Sequence, residues 1–270
     1  MESFSGRVAV LGAGKMGEVL AAGMVRSGID AARVLVTDVD SGRVAGVAAR
    51  HGLSVGESNR SAAEQAEIVV IAVKPKDVGS VLAEISPAVT DSHLVVSIAA
   101  GITTAFLEEK VPTAPVVRAM PNIAAQVGEG ITAICAGRRA GERHLTLACN
   151  VLEGVGPVLV VEEPYIDAVT ALSGSGPAYF ALFAEAMIDA GVTVGLARPV
   201  AAKLVAQTLR GTAALVTDGG MLPAEVREAV TSPGGTTAAA LRELERAGVR
   251  AAVMNAVQAA LDRARGLGAG

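Results

Sequence analysis

A short apolar run, Val8-Ala9-Val10-Leu11, closes on Gly12-Ala13-Gly14-Lys15-Met16-Gly17, and a helix-period pattern takes over at once through Ser27. No other feature of the chain narrows its fold as far. A buried strand that turns through G-x-G-x-x-G into a helix is the opening unit of a doubly wound α/β sheet. The glycines permit the tight turn and let backbone N–H groups at the helix start approach a pyrophosphate. The same spacing also fits an ordinary glycine turn. Its place on the first strand of an alternating pattern favours the dinucleotide reading.

That alternation continues. Val34-Leu35-Val36, Ile68–Val73, Leu94–Ile98 and Val116-Val117 are further apolar runs, with a helical stretch over 42–50. Continuous apolar runs separated by helices predict parallel strands buried on both faces. Ile131–Ala136 and Val158–Val161 predict two more strands around a helix at Arg143–Leu152. After about Pro164 the strand runs stop. Pro199–Val216, Pro223–Val230, Thr236–Ala247 and Arg250–Arg265 carry apolar residues at helical spacing, with Pro at first turns and Gly past the ends. The expected class is therefore α/β. An N-terminal Rossmann-type doubly wound sheet (residues 1–164) is followed by an all-α domain (165–270). The second half is Ala-rich and apolar on more than one helix face, which predicts a homodimer through it.

Composition excludes several functions. Hydrophobic residues make up 51% of the 270 and charged residues 19%, so the chain buries a core and is not disordered. Six aromatics, no Trp and a net charge of −4 leave no base-stacking basic surface, so no nucleic-acid partner is expected. No apolar stretch approaches the ~20 residues of a membrane span, and Met1–Gly6 lacks the basic and apolar regions of a secretory signal. Cys135 and Cys149 lack metal-ligand spacing and read as buried small hydrophobes of a reducing cytoplasm. No metal is expected. His51, His93 and His144 read as solvated surface residues.

In a parallel sheet the strands' carboxyl ends open on one crevice, where ligands bind. Four segments end strands there. The first spans Leu11, Gly12, Ala13, Gly14, Lys15, Met16 and Gly17. The others are Ala72-Val73-Lys74-Pro75, Ala99-Ala100-Gly101 and Met120-Pro121-Asn122. Lys74 is held at the crevice lip because Pro75 fixes a helix start behind it. Asp38, 21 positions after Gly17, stands where an acid hydrogen-bonds the adenine ribose and disfavours a 2′-phosphate, although Arg43 could meet a phosphate instead. Asn59 completes the expected cofactor set.

A second site is expected at Thr231-Ser232-Pro233-Gly234-Gly235-Thr236-Thr237. Two glycines and two hydroxyl residues opening a helix present free N–H groups and a positive dipole end, a receptor for a small carboxylate. A capped helix start accounts for the threonines but not for the paired glycines. Ala171-Leu172-Ser173-Gly174-Ser175-Gly176-Pro177-Ala178-Tyr179 reads as a close-packing segment.

Nearly the whole chain resembles the pyrroline-5-carboxylate reductases of proline biosynthesis. The resemblance is carried by Gly12–Gly17, Ala72–Pro75, Ser97–Ile102, Arg118–Asn122, Leu172–Tyr179, Gly195-Leu196, Gln207-Thr208 and Val230–Thr237. It implies a Rossmann domain with a helical dimerisation domain, reduction of a cyclic imine to L-proline by NADPH or NADH, and higher rings, up to a decamer of dimers. The family leans to NADPH, whereas Asp38 leans to NADH. The resemblance also implies that Glu163 faces the substrate, beside Ser232, Gly234, Gly235, Thr236 and Thr237. Thr237 is the expected proton donor to the imine nitrogen, or only orients a substrate that arrives protonated. Other readings are a Rossmann imine or 3-hydroxy-acid reductase, and a non-catalytic NAD(P)-binding scaffold. The hydroxy-acid enzymes need a Lys near Leu172–Ala190, which this chain lacks, and a scaffold has no need of Ser232–Thr237.

Overall fold

The structure, a computed structural model, describes residues 4–267. Of the N-terminal stretch read for a signal, residues 1–3 lie outside the described residues, as do 268–270 of the helical half. The chain forms two compact units: residues through Ser175 together with the end of the last helix from Ala260, and Gly176–Ala259.

The first unit alternates strand and helix. In order it holds β1 (Val8–Leu11), α1 (Lys15–Arg26), β2 (Val34–Thr37), α2 (Ser41–His51), β3 (Ser54–Val55), α3 (Asn59–Glu64), β4 (Ile68–Ile71), α4 (Pro75–Ile85), β5 (Leu94–Ser97) and α5 (Thr104–Lys110). Then come β6 (Val116–Pro121), β7 (Thr132–Ala136), α6 (Glu142–Leu152), β8 (Val158–Val160) and α7 (Ile166–Val169). The strands form one sheet in the order β3-β2-β1-β4-β5-β6-β7-β8. Side chains alternate across it. Val8, Val10, Ile68 and Val70 join one core with Leu20, Val44 and Val151 of α1, α2 and α6. Ala9, Leu11, Val69 and Ile71 join the other with Ala62, Leu82 and Leu107 of α3, α4 and α5. Covering both faces is what leaves these strands apolar at every position.

The last two strands, β7 and β8, run opposite to the other six. β7 runs antiparallel to β6, with Arg118 opposite Cys135 and Pro121 opposite Thr132. The link between them holds only a short 3₁₀ turn at Ile123–Val127, too brief for the dozen-residue crossover that parallel strands need. β8 pairs parallel to β7 across α6. It ends at Val160, and Val161 contributes one further hydrogen bond, to Ile134.

The second unit is all helix: α8 (Gly176–Thr193), α9 (Arg198–Thr217), α10 (Pro223–Ala229), α11 (Thr236–Arg246) and the first part of α12 (Val249–Leu267). Pro199 and Pro223 stand in first turns, where their missing N–H costs nothing. Its apolar side chains face outward. Phe180, Leu182, Phe183 and Met187 on α8, Leu204 and Leu209 on α9, and Val253 and Met254 on α12 are all exposed within the single chain.

Candidate active site

The glycine turn is shaped by contacts that tolerate no side chain at two of its positions. Gly12 has φ 111°, and a Cβ on it would lie 2.8 Å from the Ala72 carbonyl. A Cβ on Gly17 would lie 1.8 Å from the Gly12 oxygen. Gly14 differs: its φ and ψ are ordinary and nothing lies within 4 Å of where its Cβ would be. It is also the N-cap of α1, with no side chain satisfying the helix's first N–H groups. Open space over free amides at a twelve-residue helix start fits a diphosphate. Lys15 at the helix start is exposed, Met16 is half-buried and Leu11 lies in the sheet core.

Asp38 follows β2 and closes on this turn. Its Oδ2 accepts the Ala13 N–H at 2.8 Å. Its Oδ1 accepts the Asp40 N–H at 3.0 Å and the Arg43 guanidinium at 3.1 Å. Burial raises the Asp38 carboxyl, but the N–H groups of Asp40 and Ala13 and the charge of Arg43 outweigh it and hold the group below its ordinary value. Arg43 also pairs with Asp40 at 3.2 Å. Asn59 opens α3, where its Oδ1 takes the Thr37 hydroxyl at 2.6 Å and its Nδ2 donates to Glu84 at 2.8 Å.

β1, β4, β5 and β6 are mutually parallel, so their carboxyl ends share one edge. Ala72 bonds back to Leu11 at 2.8 Å, and Ile98 to Ile71 at 3.1 Å. Lys74 caps α4 with extended backbone and an exposed side chain, and Pro75 takes the first helical position. Ala99 is buried, Ala100 and Val73 are half-buried, and Gly101 turns the chain with φ 77°.

In the second unit, the segment after α10 turns through Gly234 at φ 73° into Gly235, the N-cap of α11. A Cβ on Gly235 would lie 2.4 Å from Ser232 Oγ. The cap carries no side-chain hydrogen bond, so the amides of the first turn are not served by a threonine cap. Thr236 is exposed and Thr237 half-buried in that turn, with Ser232 and Gly234 exposed before it.

Glu163, expected to face substrate, is tied to residues of the first unit. Its Oε1 accepts the Thr104 N–H at 2.7 Å, its Oε2 accepts the Thr104 hydroxyl, and the buried Arg118 pairs with it at 3.4 Å. The histidines are half-buried rather than solvated, each in a hydrogen bond: His51 of α2 with Glu18 of α1, and, locally, His93 with Thr90 and His144 with Gly141. Cys135 is buried, and burial, to which Glu163 adds, pushes its thiol up to about 12. Cys149 is half-buried rather than buried: it packs against the core from the flank of the face that α6 buries through Ala148, Val151 and Leu152. Among the described residues no group of three or more His, Cys, Asp or Glu could hold a metal ion, and no helix is long and apolar enough to cross a membrane.

A dinucleotide-binding sheet followed by an all-helical unit with outward apolar faces defines a class: a Rossmann-type oxidoreductase that uses a nicotinamide cofactor. Residues 7–101 match the family described as "NADP oxidoreductase coenzyme F420-dependent", and residues 163–267 match "Pyrroline-5-carboxylate reductase dimerisation". A pyrroline-5-carboxylate reductase of Mycobacterium tuberculosis is 45% identical, covering 97% of this chain and 96% of its own. The solved pyrroline-5-carboxylate reductase of Coxiella burnetii superposes with a TM-score of 0.94 at 33% identity, covering 98% and 99%. The solved Plasmodium falciparum pyrroline carboxylate reductase, with NADP bound, gives 0.84 at 32% identity over the same shares. The chain belongs to the pyrroline-5-carboxylate reductase family.

Sequence reasoning gave Arg118 and Thr104 no role of their own. The signal was a lone arginine inside Val116-Val117-Arg118-Ala119, since a charge in a buried strand must be paired.

Proposed function

We propose that this chain reduces 1-pyrroline-5-carboxylate to L-proline, with the cofactor held on the first unit and the substrate carboxylate at the start of α11. The observation that carries the cofactor half is the open cradle over Gly14, flanked by glycines that admit no side chain. Residues Leu11–Gly17, Asp38, Asn59, Ala72–Pro75 and Ala99–Gly101 form the cofactor set. When bound, the reduced nicotinamide supplies the hydride that goes to the imine carbon.

The chain's own part is binding, orientation and proton supply. Free amides of Thr236 and Thr237 and the positive end of α11 receive the carboxylate, with Ser232, Gly234 and Gly235 shaping the turn, where the Gly235 N–H is taken by the Ser232 carbonyl at 3.0 Å. The Thr237 hydroxyl donates to the imine nitrogen or orients an iminium that arrives protonated. A protonated imine is the better electrophile, so little acid strength is asked of the threonine. Glu163 acts through Thr104 and Arg118 rather than on the substrate.

Asp38 supports NADH as the preferred cofactor. Its carboxylate is negative at neutral pH and repels a 2′-phosphate, and the cation beside it is already shared with Asp40. The apolar faces of α8 and α9 support a homodimer through the helical unit, with rings of dimers built on it. The unpaired cysteines fit a cytoplasmic setting.

The direct assay follows oxidation of NADH and NADPH with 1-pyrroline-5-carboxylate, and reduction of NAD with 3-hydroxy acids. Turnover of the cyclic imine without turnover of hydroxy acids is expected. Turnover of hydroxy acids alone, or binding of NADH with no turnover, would replace this reading with one of the alternatives.

A further inference from the structure

We propose that Arg118 is a positioning residue for the reduction, acting through Glu163, Thr104 and Asp167 on two of the strand ends that frame the crevice. The inference rests on the reductase reading above.

Arg118 sits on β6, in register with Ser97 of β5 and Cys135 of β7. Its side chain is 5% exposed. A cation there costs several kcal/mol of lost hydration unless it is paired and hydrogen-bonded. It is paired twice: Nη1 meets Glu163 Oε1 at 3.4 Å and Nη2 meets Asp167 Oδ1 at 3.2 Å.

Each acid reaches a different strand end. Glu163 takes both the N–H and the hydroxyl of Thr104, the first residue of α5. Thr104 follows the β5 exit loop that carries Ala99, Ala100 and Gly101. Inside that loop the bonds are long, Ile102 N–H to the Ala99 carbonyl at 3.4 Å and Ala99 N–H to Ser97 Oγ at 3.3 Å, and its far end is held by the Thr103 cap of α5 together with the Glu163 contacts of Thr104. Asp167 lies on α7, which runs on into a π-turn at Thr170–Gly174. Gly174 packs on the exit of β6, where a Cβ would lie 2.9 Å from Met120 Cε. One guanidinium thus fixes the β5 loop on one side and the β6 exit on the other.

Stability alone does not require this arrangement. Buried ion clusters can usually be replaced by neutral residues of similar size at little cost, whereas removal of one partner is strongly destabilising. Position is what the charges add. A shift of about 1 Å in a reacting group can cost on the order of 10²-fold in rate.

The test compares Arg118→Met with the triple variant Arg118→Met/Glu163→Gln/Asp167→Asn in the full-length protein, with Arg118→Lys as a variant that keeps charge but loses the two-pronged geometry. Thermal midpoint, NADH Kd, KM and kcat per folded enzyme are measured for each. Arg118→Met is expected to lower the midpoint and to lower kcat by about 10- to 100-fold. The triple variant is expected to regain the midpoint while kcat stays at least about tenfold down and NADH Kd rises, because the loosened loop carries Ala99–Gly101 of the cofactor set. Recovery of wild-type kcat with the midpoint in the triple variant would overturn the proposal, as would full kcat in folded Arg118→Met. Should either methionine variant fail to fold, Arg118→Lys decides: lowered kcat at a wild-type midpoint supports the role, and wild-type kcat removes it. Wild-type turnover of 1-pyrroline-5-carboxylate in the same series tests the reductase reading separately, because this proposal is read only from variant-to-wild-type ratios.

Discussion

The two units solve the problem of apolar residues in opposite ways. In the first, Val8, Val10, Ile68 and Val70 are wholly buried by the unit's own helices. In the second, Phe180 is 64% exposed, Leu182 68% and Met254 72%, and α10 and α11 bury no residue at all. The first unit therefore has a core that its own chain completes. The second leaves these large apolar side chains bare within the single chain, and a second copy of the same helices is the cover we propose. The contrast extends to ligands. In the first unit the cradle is a gap left in a finished core, while in the second it is a helix start on a turn.

The largest effect should come from disturbing the finished core at its tightest point. Gly17→Ala places a methyl 1.8 Å from the Gly12 carbonyl oxygen, so folding stability should fall by about 3 kcal/mol or more and NADH binding should vanish. Gly14→Ala meets open space and should keep the wild-type melting temperature while weakening NADH. Equal melting curves for the two variants would break the claim that these glycines do different work.

The matching experiment on the second unit is Leu182→Glu with Phe183→Glu. Light scattering at micromolar concentration should show the wild type as a dimer or larger and the variant as a monomer that has lost turnover but still binds NADH. A wild-type monomer would mean that the helices tolerate exposure unaided, and the comparison would collapse.

Thr237→Ala sharpens the chemical half of the contrast. It should lower kcat by about 10²-fold if the hydroxyl supplies a general-acid contribution, with NADH affinity unchanged. Full kcat across a wide pH range would show that the proton arrives with the substrate or from water.

The smallest expected effect is at Asp38. Asp38→Ser should raise the NADPH-to-NADH ratio of kcat/KM by about tenfold, equivalent to about 1.4 kcal/mol. The substitution also removes the acceptor for the Ala13 N–H and frees Arg43 from one of its two acids. An unchanged ratio would show that the ribose is read elsewhere.

How much of this could be read from the amino acids differed between the units for the same physical reason. Ile68–Ile71 buries both faces, so its apolar run announced a central strand, and Gly12–Gly17 announced the turn at its neighbour. The helices from Arg198 onward were visible by spacing to within two residues at either end. Elements held by few residues were not. β3 is two residues long, and α3 is a single short helix of mostly small and polar side chains. The reversal of β7 depends on the length of a link, not on the apolar pattern of the strand. The contacts of Glu163 were not legible because a carboxylate's partner is set by tertiary contact: nothing local to Glu162-Glu163 reveals Thr104 or Arg118, 59 and 45 positions away.

The claim that holds the account together is that cofactor and substrate carboxylate are received by different units. Gly235→Val addresses it most directly, since a side chain there collides with Ser232 and obstructs the amides that open α11. Isothermal or fluorescence titration of NADH should give a Kd within about twofold of wild type, while the KM for 1-pyrroline-5-carboxylate rises by on the order of tenfold or more. A variant that binds substrate normally but loses NADH would contradict the account and move this turn into the cofactor site.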